Sequence, residues 1–219
     1  MQAITVVKRD GRREPLDIAK IQKQVAMACD GISNVSPSMI EMAAQIQFHD
    51  GITSADIDRT LLRAMINLID PTQSDVGHVN YQYVAGRHRV AMLRKEVYGQ
   101  YMPPRLYDIV KKNVSVGLYT PSLLEWYTED DWDKLDSYMD HSKDEQYAYA
   151  AIDHLIEKYL VRNRSTDEVY ETPQVRYMVA AATAFHMEPA NRLRFVKEYY
   201  RYASDGAFTL ATPVLAVIS

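Results

Sequence analysis

What most constrains this chain is the placement of its helix stops. In the first hundred residues Gly31, Gly51, the Asp70-Pro71 pair and Gly99 each break the apolar pattern. Glycine can adopt the left-handed conformation that ends a helix, and proline cannot continue one. Start signals precede the stops. Asp17 can cap a helix running to Asp30, and Ser36-Pro37 sets a cap residue before a proline at the first helical position. Thr53-Ser54-Ala55-Asp56 resembles a capping box with Asp in the usual Glu place, and a last long helix covers Tyr81 to Tyr98. Ahead of them Ile4 to Val7 alternates as a short strand, Arg9-Asp10-Gly11 makes a tight turn, and Arg12 to Leu16 returns. A hairpin and four helices form a complete small domain, expected over residues 1–99.

The remainder, 100–219, is also mostly helical by pattern. Pro103-Pro104 is a rigid joint. Helices are expected at about Arg105–Val116, Glu129–Tyr138 behind the cap Thr128, Gln146–Lys158, Thr172 to His186 and Pro189–Ala203. Tyr159-Leu160-Val161 and Glu168-Val169-Tyr170, joined by a polar turn, are expected to form a hairpin. Phe208 to Leu215 has the character of a buried strand with no partner in this sequence. An unpaired apolar edge is a liability, so the fold is expected to be completed by a polypeptide segment outside these 219 residues.

Composition excludes several functions. The net charge of -4 argues against a dedicated nucleic-acid binder, which needs surplus cations to displace counterions. A single cysteine, Cys29, rules out a disulfide framework, a multi-cysteine zinc site and a dithiol couple within the chain. The histidines are scattered without metal-ligand spacing. No apolar run approaches the roughly 20 residues that span a bilayer. A cytoplasmic protein without membrane or nucleic-acid partners is the expectation. Neither a glycine-rich phosphate loop nor a catalytic constellation is present.

The chemistry that remains is at the N-terminus. Lys8 and Arg9 enter the turn, and Lys20 lies in the first turn of the next helix, beside free backbone N–H groups. Cations beside a helix N-terminus suit an anion such as a nucleotide's phosphates. Glu14 and Asp17 can accept hydrogen bonds from a sugar or base, and each charge-assisted bond is worth about 1.5–3 kcal/mol. Lys95, with Arg87 about two turns before it, could add a second cationic face. Ordinary solvated charges would give the same pattern, and the residues alone leave both explanations open.

These residues resemble a known family. Val7-Lys8-Arg9-Asp10-Gly11 followed by Asp17-Ile18-Ala19-Lys20-Ile21 is similar to the opening of the ATP-cone, the allosteric domain of ribonucleotide reductases. Ile46 to Ile52, Tyr81 to Ala85, Leu93 to Tyr101, Glu157 to Val161 and Val169 to Pro173 resemble successive landmarks of the class Ia large subunit. The resemblance implies a mainly α chain, in which an ATP-cone precedes a helical region and the first strand of an incomplete ten-stranded α/β barrel. It implies that ATP or dATP, with Mg2+, is bound by Lys8, Arg9, Glu14, Asp17, Lys20, Ser54 and Lys95, with Val7, Leu16 and Ile21 walling the adenine. Asp17, Ser54 and Asp58 stand where the family more often has Asn, Thr and His, and the two extra acids weaken the attraction for a triphosphate. Thr212 matches a threonine that contacts the substrate diphosphate. The thiyl-radical and reducing cysteines have no counterpart among these residues, so the chain alone is expected to be inactive. Its implied partners are the remaining C-terminal part of the large subunit, a small subunit holding a di-iron tyrosyl radical, and a second large subunit in a dimer. The alternative is a stand-alone ATP-cone sensor without reductase activity. The zinc-ribbon repressors of that kind need four cysteines and do not fit.

Overall fold

The computed structural model describes residues 4–45 and 47–208. Three short strands, β1 (Thr5–Val7), β2 (Arg13–Pro15) and β3 (Ile52–Thr53), form one sheet in the order β2-β1-β3. Ten α-helices are described: α1 (Ile18–Cys29), α2 (Pro37–Gln45), α3 (Ser54–Asn67), α4 (Tyr81–Tyr98), α5 (Leu106–Ser115), α6 (Ser122–Trp126), α7 (Glu129–Asp136), α8 (Tyr149–Lys158), α9 (Pro173–Ala184) and α10 (Arg192–Ser204). A 3-10 helix spans His141–Gln146. The mainly helical class expected from the sequence holds. None of the described helices is long and apolar enough to cross a membrane.

The chain forms two compact units that divide inside α4. The first holds the described residues up to Met92 together with Tyr147–Ala150; the second holds Leu93–Gln146 together with those from Ala151 onward.

In the first unit β1 and β2 pair antiparallel with Val6 opposite Glu14, closed by a turn in which Gly11 takes φ +82°. β3 pairs with β1 in parallel, Val7 beside Thr53. That third strand was not expected, because two residues are too few to carry a period. It replaces the end of the helix expected to reach Gly51: α2 stops at Gln45. Asp50 makes the difference, since its carboxylate accepts from Thr5 N at 2.8 Å and Thr5 Oγ1 at 2.5 Å and ties the segment to β1. Asp17 caps α1 through Lys20 N at 3.1 Å, and Thr53 caps α3 through Asp56 N at 3.0 Å, as the sequence indicates. Val6, Val25, Ile40, Ile52, Leu61, Met65 and Val84 make the core. Gly86 allows α4 to pass close to the Tyr147 carbonyl, where a Cβ would come within 2.1 Å.

In the second unit Thr128 and Asp131 complete a capping box at α7. Trp132, Leu123, Tyr127, Val175, Met178 and Val196 are buried together. The hairpin expected between Tyr159 and Tyr170 narrows to a single bridge, Arg162 with Val169. Two backbone bonds flank it, Tyr170 N to the Val161 carbonyl at 3.0 Å and Asn163 N to the Glu168 carbonyl at 2.9 Å, and side chains add to them. The buried Glu171 accepts from Val161 N at 2.7 Å and from Tyr119 Oη, with Arg176 Nη1 3.4 Å away. The expected strand from Phe208 to Leu215 lies outside the described residues beyond its first position, as does Thr212.

Candidate functional site

The pairing of the small sheet decides which charges meet. Side chains alternate across a strand, so Lys8 shares the face of Val6, and Glu14, directly opposite Val6, shares it too. The buried Val6 turns this face toward the helices of its unit. Lys8 Nζ lies 2.6 Å from Glu14 Oε1. Lys20 Nζ approaches the same oxygen to 4.0 Å and Asp17 Oδ2 to 3.6 Å. Two cations and two acids from one short stretch of sequence thus converge where β2 feeds α1. Lys8 holds the Glu14 carboxyl below its ordinary pKa, chiefly by its hydrogen bond, with Lys20 adding a smaller Coulomb effect. Glu14 therefore stays an acceptor at any physiological pH.

The parallel pairing of β3 adds a second helix start. With Val7 beside Thr53, the first turn of α3 follows the strand next to the hairpin, and Ser54 is its first residue, half-buried. Two helix N-termini, those of α1 and α3, therefore flank the same sheet. The unpaired N–H groups at the start of α1 favour an anion near Lys20, while the register puts the start of α3 at the other end of the sheet, beside Val7. Arg9 is exposed in the turn. At the hairpin tip Asp10 is paired with Arg12 at 2.6 Å, and its hydrogen bonds from Arg12 hold its pKa down.

Leu16 and Ile21 line one apolar cleft of about 230 Å3 with Ile4, Ile18, Ala44 and Phe48. Val7, the third residue assigned to the adenine wall, does not line it; strand alternation points its side chain away from the face of Val6 and Ile4. Lys95 stands in the last turn of α4, half-buried and within the second unit. Its neighbour in the expected basic face has another task. Arg87 Nη1 donates to the Asp30 carbonyl and reaches the Ala28 carbonyl at 3.5 Å, capping the end of α1.

One constellation escaped the sequence. Asp58, only 6% exposed, lies one turn below Ser54, and Gln24 lies one turn below Lys20. Gln24 Nε2 donates to Asp58 Oδ1 at 2.8 Å and faces His88 Nδ1 at 3.3 Å, while His88 Nε2 is 2.9 Å from the Asp58 carbonyl. The available signals were the i, i+4 spacing below two candidate site residues and the family position at which Asp58 stands. Cys29 is buried, and that burial pushes its thiol to about 11, so it is no thiolate near neutrality. Among the described residues no group of three or more His, Cys, Asp or Glu side chains is placed to hold a metal ion.

The first unit is thus a small sheet on a helical layer, with two lysines and two acids gathered at a helix start. Comparison with known proteins agrees: residues 4–96 match the ATP cone domain, and residues 145–218 match the ribonucleotide reductase all-alpha domain. The chain is 40% identical over 216 residues to the ribonucleoside-diphosphate reductase subunit alpha of Haemophilus influenzae. It is 41% identical over 216 residues to the ribonucleoside-diphosphate reductase 1 subunit alpha of Escherichia coli K12, and 35% over 216 residues to the ribonucleoside-diphosphate reductase subunit alpha of Enterobacteria phage T4. Each alignment covers at least 98% of this chain and 28% of the relative's length. The chain thus carries a region that matches an ATP cone and a region that matches the ribonucleotide reductase all-alpha domain, and it spans about 28% of the length of these alpha-subunit relatives.

Proposed function

We propose that this chain senses ATP and dATP for a ribonucleoside-diphosphate reductase, binding the triphosphate where the hairpin meets α1 and α3. The observation that carries the reading is the convergence of Lys8 and Lys20 on Glu14 beside the capped start of α1, within a match to the ATP cone. An incoming phosphate can take both lysines from Glu14 and Asp17. Those carboxylates are then released to accept hydrogen bonds from the ribose or the adenine amino group. Arg9, Ser54 and Lys95 complete the proposed phosphate contacts, and Leu16 and Ile21 the adenine wall, with Val7 on the opposite face of β1. Mg2+ would arrive with the triphosphate rather than occupy a protein site of its own.

In this reading the bound nucleotide regulates reduction of ribonucleoside diphosphates to deoxyribonucleotides in the cytoplasm. The reaction itself needs reactive thiols, and Cys29, buried and protonated, does not supply one. The 219 residues alone are therefore expected to give no turnover. Catalysis would draw on the rest of an alpha subunit, including the barrel that Thr212 is proposed to join, on a second alpha subunit and on a small di-iron radical-generating subunit.

Calorimetric titration with MgATP and MgdATP tests the reading. Lys8→Ala and Lys20→Ala are each expected to weaken binding about tenfold or more while the chain stays folded, since one charge-assisted bond is worth about 1.5–3 kcal/mol. Lys95→Ala tests the third cation separately. Absence of any heat with the unaltered chain would refute the proposal.

A further inference from the structure

The outer face of α10 carries cations that the second unit does not pair. Val196, Tyr200 and Ala203 bury one side of this helix. Arg194, Lys197 and Arg201 follow one another at helical spacing on the other side, all exposed, and so form a single stripe. Elsewhere in the unit, Arg105 meets Glu129 and Asp133, Lys143 meets Asp205, Arg162 meets Asp167 and Arg192 meets Asp131. None of the stripe residues forms an ion pair with an acid among the described residues, Glu198 of the same helix included. Each lies instead over an aromatic ring: Arg194 is 5.1 Å from the centre of Phe195, Lys197 4.3 Å from Tyr138 and Arg201 4.7 Å from Tyr202. A ring face steadies a cation without neutralising it, so the stripe keeps its full charge.

The complement stands on a neighbouring edge of the same unit. α7 packs against both α5 and α10. Where α7 meets the start of α5, Asp108, Glu129 and Asp133 gather around Arg105. Burial pushes the adjoining Asp136 carboxyl up in pKa; the Leu106 N–H opposes this, and the charges of Asp133 and Asp108 add to it. Asp130 is exposed on α7 as well. These acids outnumber Arg105 and the nearby Lys134, which leaves the patch with surplus negative charge.

Stripe and patch both adjoin α7, so one unit presents two halves of a contact that it does not close on itself. We propose that two copies of this chain pair through α10 of one and the α5–α7 edge of the other, with Arg194, Lys197 and Arg201 meeting Asp108, Glu129 and Asp133. Each copy carries both surfaces, so a two-fold axis makes the contact twice and gives a closed dimer. Exposed charge carries the pairing, which is therefore weak and sensitive to salt. A nucleic acid fits the stripe less well, because Glu198 would face its phosphates. The dimer uses none of the residues proposed for the nucleotide and stands apart from that reading.

Sedimentation velocity on the full 219-residue chain tests the pairing. At low ionic strength the sedimentation coefficient is expected to climb from monomer to dimer as protein concentration rises. In about 1 M salt, where charges act over only about 3 Å, the dimer should weaken tenfold or more. Reversing the stripe with Arg194→Glu, Lys197→Glu and Arg201→Glu together should leave a monomer. Reversing the patch with Asp108→Lys, Glu129→Lys and Asp133→Lys should do the same. An equimolar mixture of the two reversed chains should dimerise again, since each then offers what the other lacks. Circular dichroism checks that both are folded. If either is not, Lys197→Gln with Arg201→Gln decides the matter and should weaken the dimer severalfold. An unaltered chain that is monomeric throughout overturns the proposal, whether or not the stripe binds a single-stranded oligonucleotide or poly-glutamate. A dimer that ignores salt, a dimer that survives these substitutions, or a mixture that stays monomeric overturns it too.

Discussion

The two units handle charge in opposite ways. Around the hairpin of the first, the ionised side chains stay near water: Lys20 is 71% exposed, and the Lys8–Glu14 pair is about one third exposed at each end. In the second, Arg94, Asp144, Glu171 and Arg176 are all buried to 3% or less. Exposed ion pairs contribute little to stability, because solvent screens them and long side chains must be immobilised. They can be exchanged for a ligand at small cost. Buried charges are different, since removing one partner strands the other in a medium that solvates it poorly. Charge near the hairpin is thus available for binding, whereas buried charge in the second unit holds backbone segments in place.

The sharpest way to break this contrast is Glu171→Ala. Glu171 is enclosed by Tyr119, Val161 N and Arg176, and burial pushes its carboxyl upward in pKa while Arg176 opposes that shift. Its loss leaves Arg176 buried without an acid and should cost about 3–5 kcal/mol, measured by urea unfolding. A loss below about 1 kcal/mol would place Glu171 with the dispensable surface charges.

Next in size is the pH dependence of the second unit. Burial raises the Asp144 carboxyl to about 7, against about 4 in an unfolded chain. The folded state then holds a proton that the unfolded state has lost. Stability from this group is accordingly present at low pH and lost as pH rises from about 4 through about 7. The urea midpoint of the second unit should fall between pH 5 and pH 8, and Asp144→Asn should flatten that slope. An identical slope in both proteins would assign it to another group.

Asp17 separates capping from charge at the candidate site. Asp17→Ala removes the acceptor of Lys20 N and should destabilise the first unit by about 1 kcal/mol. Asp17→Asn keeps an oxygen at that position and should leave stability nearly unchanged. It also removes a negative charge beside Lys20, so the affinity for MgATP should rise severalfold in calorimetry. Weaker binding by Asp17→Asn would show that the carboxylate itself is needed by the ligand.

The smallest effect is expected at the hairpin tip. Arg12 and Asp10 pair at 2.6 Å but are exposed, so Arg12→Ala should not measurably move the urea midpoint. A clear shift would mean that this turn depends on the pair rather than on Gly11.

Local signals in the sequence proved dependable where a residue acts on its immediate neighbours. Asp17, Thr53 and Thr128 cap the helices they precede, and Gly11 turns the hairpin, because each works through backbone within three residues. Legibility failed where a partner lies far away in sequence. β3 exists because Asp50 and Gly51 bind Thr5, 45 residues or more back along the chain. The hairpin expected from Tyr159 to Tyr170 is present but short, and Glu171, held by Tyr119 and Arg176 as well as by Val161, reinforces it from outside the stretch. At the candidate site, Lys8, Glu14, Asp17 and Lys20 were legible together because they fall within one short stretch. The Gln24–Asp58–His88 cluster was not, since three separate helices supply it.

By itself, then, the order of residues determined the helical class, the main caps and stops, and the cationic hairpin beside the start of α1. These follow from backbone preferences and side-chain reach over a single turn. Only the tertiary structure decided that Asp58 turns inward to Gln24, that Arg87 serves the end of α1, and that Arg94 sits between two acids with one left unpaired. Each of those outcomes depends on desolvation, and whether a charge must find a partner is settled only when packing removes it from water.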